Sequence, residues 1–229
     1  MTASGPSPAF APVGVLVGLT FTTGIVDAVS VLGLGHIFTA NMTGNVVFIG
    51  FAIAGTSGFS VARSCIALLG FLIGVLVGGR ITSNTYSLPP DYWTVLALIV
   101  DGIFLLAAAI TSFGLATGEE LGTVMRYCTI GLTALAMGVR NFMARRLGVL
   151  DLTTTVLTMT IVGLAADSSL VGGNNPRWHR KIMAVSAMLA GAFLGALLVK
   201  WSVPFVLGFC GVASLAFAVL LRRQLTQSV

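Results

Sequence analysis

The sequence predicts an all-α polytopic membrane protein, with six full crossings plus two short helices that are half-inserted or short-spanning. Three observations carry the prediction. The 229 residues are only 8% charged and have a mean hydropathy of +1.01, where a soluble domain carries about 25% charged residues. So little charge could not cover a water-facing surface. Apolar stretches approaching the roughly 20 residues that span a bilayer recur along the chain. The basic residues fall in the short gaps between them, as topology control requires.

Taken in order, the apolar segments run 13–35, 38–57, 61–79, 93–115, 122–139, 150–166, 182–199 and 202–221. Turn-like stretches separate them: 83–91 with Pro89-Pro90, 117–122, and 168–180 with Gly172-Gly173-Asn174-Asn175-Pro176. No gap is long enough to fold alone, so residues 1–229 read as one membrane domain. The first dozen residues lack the basic region that opens a secretory signal, which predicts no cleavage. Cys65, Cys128 and Cys210 lie inside apolar segments, match no zinc or disulfide spacing, and read as small apolar fillers.

Segments 38–57 and 150–166 differ from the rest. One begins Phe38-Thr39-Ala40-Asn41-Met42-Thr43-Gly44-Asn45, the other Asp151-Leu152-Thr153-Thr154-Thr155-Val156-Leu157-Thr158. Both are polar at the same end, and they align with each other, Asn41 on Thr154 and Asn45 on Thr158. The preceding segments carry Gly24 and Asp27 in one case, Gly138 and Asn141 in the other. The following segments carry Gly70, Gly74 and Gly78, matched by Ala187, Gly191 and Gly195. The chain therefore reads as two related halves, about 13–115 and 122–221.

Basic residues discriminate between topologies. With eight crossings and the N-terminus inside, Arg63, Arg126, Arg177, Arg180, Lys181, Arg222 and Arg223 lie inside, and Arg80, Arg140, Arg145, Arg146 and Lys200 outside. That is hardly a bias. If the two polar segments enter and leave on one face, six crossings remain, and only Arg63, Arg126 and Lys200 are outside. Six crossings are therefore preferred, with eight as the alternative. Three crossings per half would invert the second half relative to the first, a recurrent design among transporters.

The stretch Thr23-Gly24-Ile25-Val26-Asp27-Ala28-Val29-Ser30, then Gly33, Gly35, His36 and Phe38 to Asn45, resembles the uncharacterised YoaK family of bacterial transmembrane proteins. So does Asn141, Arg145-Arg146-Leu147-Gly148, Asp151 to Thr158 and Gly163-Leu164-Ala165-Ala166-Asp167. The resemblance covers about residues 12–222. It implies a multi-pass protein of the bacterial cytoplasmic membrane and implies no activity.

Site candidates therefore come from the residues themselves. Asp27 and Asp101 lie within apolar segments, where a carboxylate costs at least about 2.5–3.5 kcal/mol and is a functional candidate by default. Each has a structural alternative, a bond to a neighbouring helix; for Asp101 that partner would be Arg126. Asn41 and Asn45 share one helix face, as do Asp151, Thr154, Thr155 and Thr158. With Thr43 and Asn141, such faces suit a hydrogen-bonding solute or a partly dehydrated ion, and helix N-termini favour an anion. They serve equally as interhelical glue. His36 sits beside the first polar segment and could titrate near neutrality. Arg140, Arg145 and Arg146 read as cytoplasmic topology determinants in contact with anionic lipid. The sharper alternative is a gate in which Arg145 or Arg146 pairs with Asp151 or Asp167. The small-residue stripes predict close helix packing, within one chain or in a homo-oligomer.

The expected function is a small-solute or ion transporter or channel. The alternative is a structural or assembly protein using the same polar faces. No metal set, cofactor motif, nucleophile–base pair or phosphate loop points to an enzyme, and no basic run with interleaved aromatics points to nucleic acid.

Overall fold

A computed structural model describes residues 13–84, 90–116, 118–147 and 157–227. The chain forms α1 (Val13–Gly33), α2 (Met42–Ile53), α3 (Val61–Asn84), α4 (Pro90–Ser112), α5 (Glu119–Arg146), α6 (Leu157–Ala166), α7 (Trp178–Leu198) and α8 (Val203–Gln227). Short 3-10 turns occupy Phe113–Ala116 and Ser169–Val171. Lipid offers no partner to a free amide or carbonyl, so apolar runs close their backbone bonds internally as helices. Five of these helices are long and apolar enough to cross a membrane. The sixth long helix, α5, has 28 residues, or about 42 Å, and contains Arg126 and Arg140. Glu119 and Glu120 in its first turn and Arg145 and Arg146 in its last complement the helix dipole. That lets α5 run well past the expected 122–139.

The expected segment 38–57 is helical only from Met42. Gly35 and His36 take positive φ, +102° and 55°. This breaks α1 and turns the chain into a loop over residues 34–41. With 12 residues, α2 reaches about 18 Å, well short of the 30 Å hydrocarbon core.

The long helices pack in pairs through glycine. Gly24 and Gly191 bring α1 and α7 together: a Cβ on Gly24 would overlap the Met188 carbonyl, and one on Gly191 the Phe21 carbonyl. Gly74 and Gly138 do the same for α3 and α5, against the Leu135 and Phe71 carbonyls. Successive contacts advance together, from Gly70 on Gly131 to Gly78 on Phe142, and from Phe21 on Gly191 to Ala28 on Gly195. These two pairs therefore run parallel. Gly102 and Gly211 join α4 to α8, with Gly102 against Leu215 and Gly211 against Leu106; here the order reverses, so the pair is antiparallel. The glycines of the two small-residue stripes thus pack against partner helices of the same chain.

The core lies among α1, α4, α5 and α8, where Ile25, Val29, Leu105, Ile130, Met137 and Leu207 are fully buried. Outward faces of α3 and α7 expose Leu69, Leu72, Leu76, Leu189 and Phe193, as lipid contact requires.

Candidate functional site

The middle of this bundle is ionic. Arg140 is 5% exposed and Asp101 is wholly buried, with Nη2 of Arg140 2.6 Å from Oδ2 of Asp101. The same Nη2 donates to Ser214 Oγ at 2.9 Å on α8. Nη1 donates to Thr22 and Thr23 Oγ1, both at 3.0 Å, and to the Leu19 carbonyl at 3.3 Å, all on α1. One guanidinium so ties α5 to α1, α4 and α8. Asp101 and Ser214 each lie 11 residues into their helices, about 16 Å along the axis. The cluster therefore sits near mid-bundle.

This corrects two sequence expectations. Arg140 is not a cytoplasmic topology residue beside Arg145 and Arg146; it lies one and a half turns deeper and faces inward, while Arg145 and Arg146 are exposed. Asp101 pairs with Arg140, not Arg126. The reason is register. α4 and α5 form a hairpin in which Gly114 meets Met125 and Thr111 bonds Thr129 at 2.9 Å. Continued inward, that register carries Asp101 to Arg140 and leaves Arg126 near the hairpin end.

A second polar group lies farther along α1. Asp27 is 4% exposed and sits on the same face as Thr23, one turn on. Its Oδ2 accepts from the Asn41 side-chain amide, and its Oδ1 has no hydrogen-bond partner. Asp27 lies six residues before the end of α1, about 9 Å in. The loop after α1 therefore dips into the bundle to deliver Asn41, and α2 starts at that depth. Asn41 occupies the N-cap position with φ −105° and ψ 78°, so its side chain leaves the helical face it was expected to share with Asn45.

Asn45 is fully buried and clasps the loop: Oδ1 accepts from the Phe38 amide at 2.9 Å and Nδ2 donates to the Phe38 carbonyl. Both polar ends are engaged by backbone, so Asn45 holds the loop. Ser30 and Thr39, 2.8 Å apart, pin the loop to α1. Thr43 and His36 are exposed; the His36 ring lies 5.9 Å from Phe59, at the edge of the Phe38, Phe48, Phe51 and Phe59 cluster.

In the second half, Asn141 is half-buried and donates to the Met137 carbonyl at 2.9 Å within its own helix. Thr158 is exposed, so it does not face Asn45 as the alignment suggested. Asp151, Thr154 and Thr155 lie outside the described residues. Asp167 pairs with Lys181 at 2.6 Å, not with Arg145 or Arg146. Lys181 is largely buried, with a further bond to the Gly163 carbonyl at 3.1 Å, and ties α6 to α7. Sequence reasoning missed Lys181 as the partner of Asp167, and missed Thr22, Thr23 and Ser214 as partners of Arg140. The signal was three threonines within four positions, 20–23, of a largely apolar helix. Among the described residues, no three His, Cys, Asp or Glu side chains cluster as a metal site would need.

Fold and site together define a multi-pass helical protein of the cell membrane with buried ionisable groups inside its bundle. The chain belongs to the family described as "Protein of unknown function (DUF1275)", whose profile matches residues 15–220. It is 35% identical over 151 residues to UPF0700 transmembrane protein YoaK of Bacillus subtilis (strain 168), covering 66% of this chain and 64% of that relative. The match thus spans just under two thirds of the relative's length. No solved structure matches.

Proposed function

We propose that the chain is a small-solute or ion transporter whose path reaches Asp27. The observation that carries this reading is the Asp27–Asn41 pair: a buried carboxylate with one unpartnered oxygen, met at depth by the N-terminal end of a helix too short to span. Ionisable groups inside a membrane bundle mark ion and proton paths, and helices that begin at membrane depth are where transporters place such groups.

Helix directions support an inverted repeat. α1 runs parallel to α7, and α3 to α5, while α4 opposes both α8 and α5. Gly18 on Phe217 and Gly33 on Val203 set α1 against α8. Hence α1, α4 and α7 point one way, and α3, α5 and α8 the other. The opposition of α1 and α3 supports an α2 that enters and leaves on one face, and that of α5 and α7 supports the same for α6. Eight crossings would instead set α4 and α8 in the same direction. The glycine contacts are also reciprocal. Gly24 meets Met188, Gly191 and Ala192, and Gly138 meets Phe71, Gly74 and Val75, each set lying at matching positions of the two halves. Such exchange is what a two-fold relation between halves requires. With Arg140 inside the bundle, the loop charges still favour the N-terminus inside.

The structural or assembly reading has one specific support, the closure of Asn45 on Phe38. Reconstitution separates the two. Liposomes holding the protein and a trapped pH-sensitive dye are challenged with proton gradients and a panel of small polar solutes. Flux that depends on pH in the native protein and loses that dependence in Asp27→Asn supports proton-coupled transport. Absence of any flux, with a stoichiometric membrane-protein partner co-purifying, overturns it.

A further inference from the structure

We infer that the groove between α3 and α5 is a binding site for one anionic phospholipid. A cavity of about 600 Å³ opens on the outer surface there, walled by Ile73, Leu76, Val77 and Phe142 and ending at Arg80. It faces the hydrocarbon: Ile73 and Leu76 are 50% and 71% exposed. Its depth comes from Gly79. A Cβ at that position would lie 3.6 Å from the Phe142 ring, in ordinary contact, so any larger side chain there would occupy the groove without meeting backbone.

The charge lies at one end. α3 and α5 run parallel, with Gly78 against Phe142, so both helices finish at the same level. Arg145 and Arg146 follow Phe142 by three and four residues and share its face; both are exposed, as is Arg80. The Arg80 guanidinium therefore closes one end of an apolar slot, at the helix end where Arg145 and Arg146 add exposed positive charge. A phosphodiester headgroup takes charge-assisted bonds from arginine, and an acyl chain suits aliphatic and aromatic walls. Among the described residues no carboxylate pairs with Arg80 or Arg145. A second copy of the chain fits poorly, because a two-fold contact through this patch would oppose arginine to arginine. In the topology proposed above the basic rim faces the cytoplasm, on the side of the anionic leaflet; the groove itself does not depend on that reading or on transport.

The test is native mass spectrometry of protein released from bilayers of mixed phosphatidylglycerol and phosphatidylcholine. The expected result is about one phosphatidylglycerol retained per chain, on a one-site reading. Arg80→Gln should cut retention about fivefold, the effect of the roughly 1 kcal/mol that one arginine contributes at an anionic lipid surface. Gly79→Leu should abolish it by filling the slot, with Arg80 intact. Retention of phosphatidylcholine to the same extent, or retention unchanged in both variants, overturns the inference. So does displacement of the lipid by inorganic phosphate alone, which would reduce the site to its arginines. A dimer that Gly79→Leu dissociates would assign the groove to a second copy instead.

Discussion

Removing Arg140 should expose how much of the bundle's integrity rests on one buried charge pair. In Arg140→Met the Asp101 carboxylate keeps its burial and loses the only charged partner it has among the described residues, while its Oδ1 already has no bond. Thr22 and Thr23 add little to the cost, because each still donates to the Leu19 carbonyl, at 3.0 and 2.8 Å. The loss is therefore that of a buried pair broken from one side, about 3–5 kcal/mol. Arg140→Met with Asp101→Leu removes both charges, and should return to within about 1–2 kcal/mol of the native protein, since apolar replacement of a buried pair is often near neutral. Equilibrium unfolding in mixed micelles, followed by the fluorescence of buried Trp93, measures both variants and gives the coupling between the two sites. If Arg140→Met costs less than about 1 kcal/mol, or if the double variant costs the sum of the two single ones, the pair is not the mid-bundle tie described here.

Four further outcomes follow from the packing, the loop and the topology. Gly24→Ala and Gly138→Ala should each destabilise by about 1–3 kcal/mol, as overpacking does, and by similar amounts, because both meet backbone at matching positions. Gly50→Ala, with nothing within 4 Å of the new Cβ, should leave unfolding unchanged in the same assay. Asn45→Ala removes both bonds to Phe38 and should loosen residues 34–41 by about 2 kcal/mol, at roughly 1 kcal/mol per bond, read as faster amide exchange confined to that loop. Cysteine placed at His36 should label only from outside, and at Arg145 only from inside; labelling of both from one face would rule out six crossings.

The class of fold was legible in the sequence, because scarcity of charge and the length of apolar runs decide it directly. Asp27, Asn41 and the glycine stripes were legible too: a carboxylate in an apolar run and glycine every fourth residue stand out without a structure. Arg140 was not. Its neighbours Arg145 and Arg146 made it look like part of a basic helix end, and only the register of the α4–α5 hairpin shows that it faces Asp101. Asn45 was misplaced for a related reason. Face-sharing at a spacing of four holds only inside a helix, and the chain is not yet helical at Asn41. Lys181 carried the opposite error: in a cluster with Arg177 and Arg180 it read as a loop charge, yet it begins the buried face of α7.

Transport past Asp27 requires that water reach Asn41 beside it. A single cysteine at Asn41, in a background free of Cys65, Cys128 and Cys210, would be treated with membrane-impermeant thiol reagents from each side, with His36→Cys as the exposed control. Labelling at position 41, blocked or enhanced as the proton gradient is reversed, is the predicted result. An inert cysteine at 41 from both sides, with the control fully labelled, would mean that the Asp27–Asn41 pair is sealed packing and that no path runs through it.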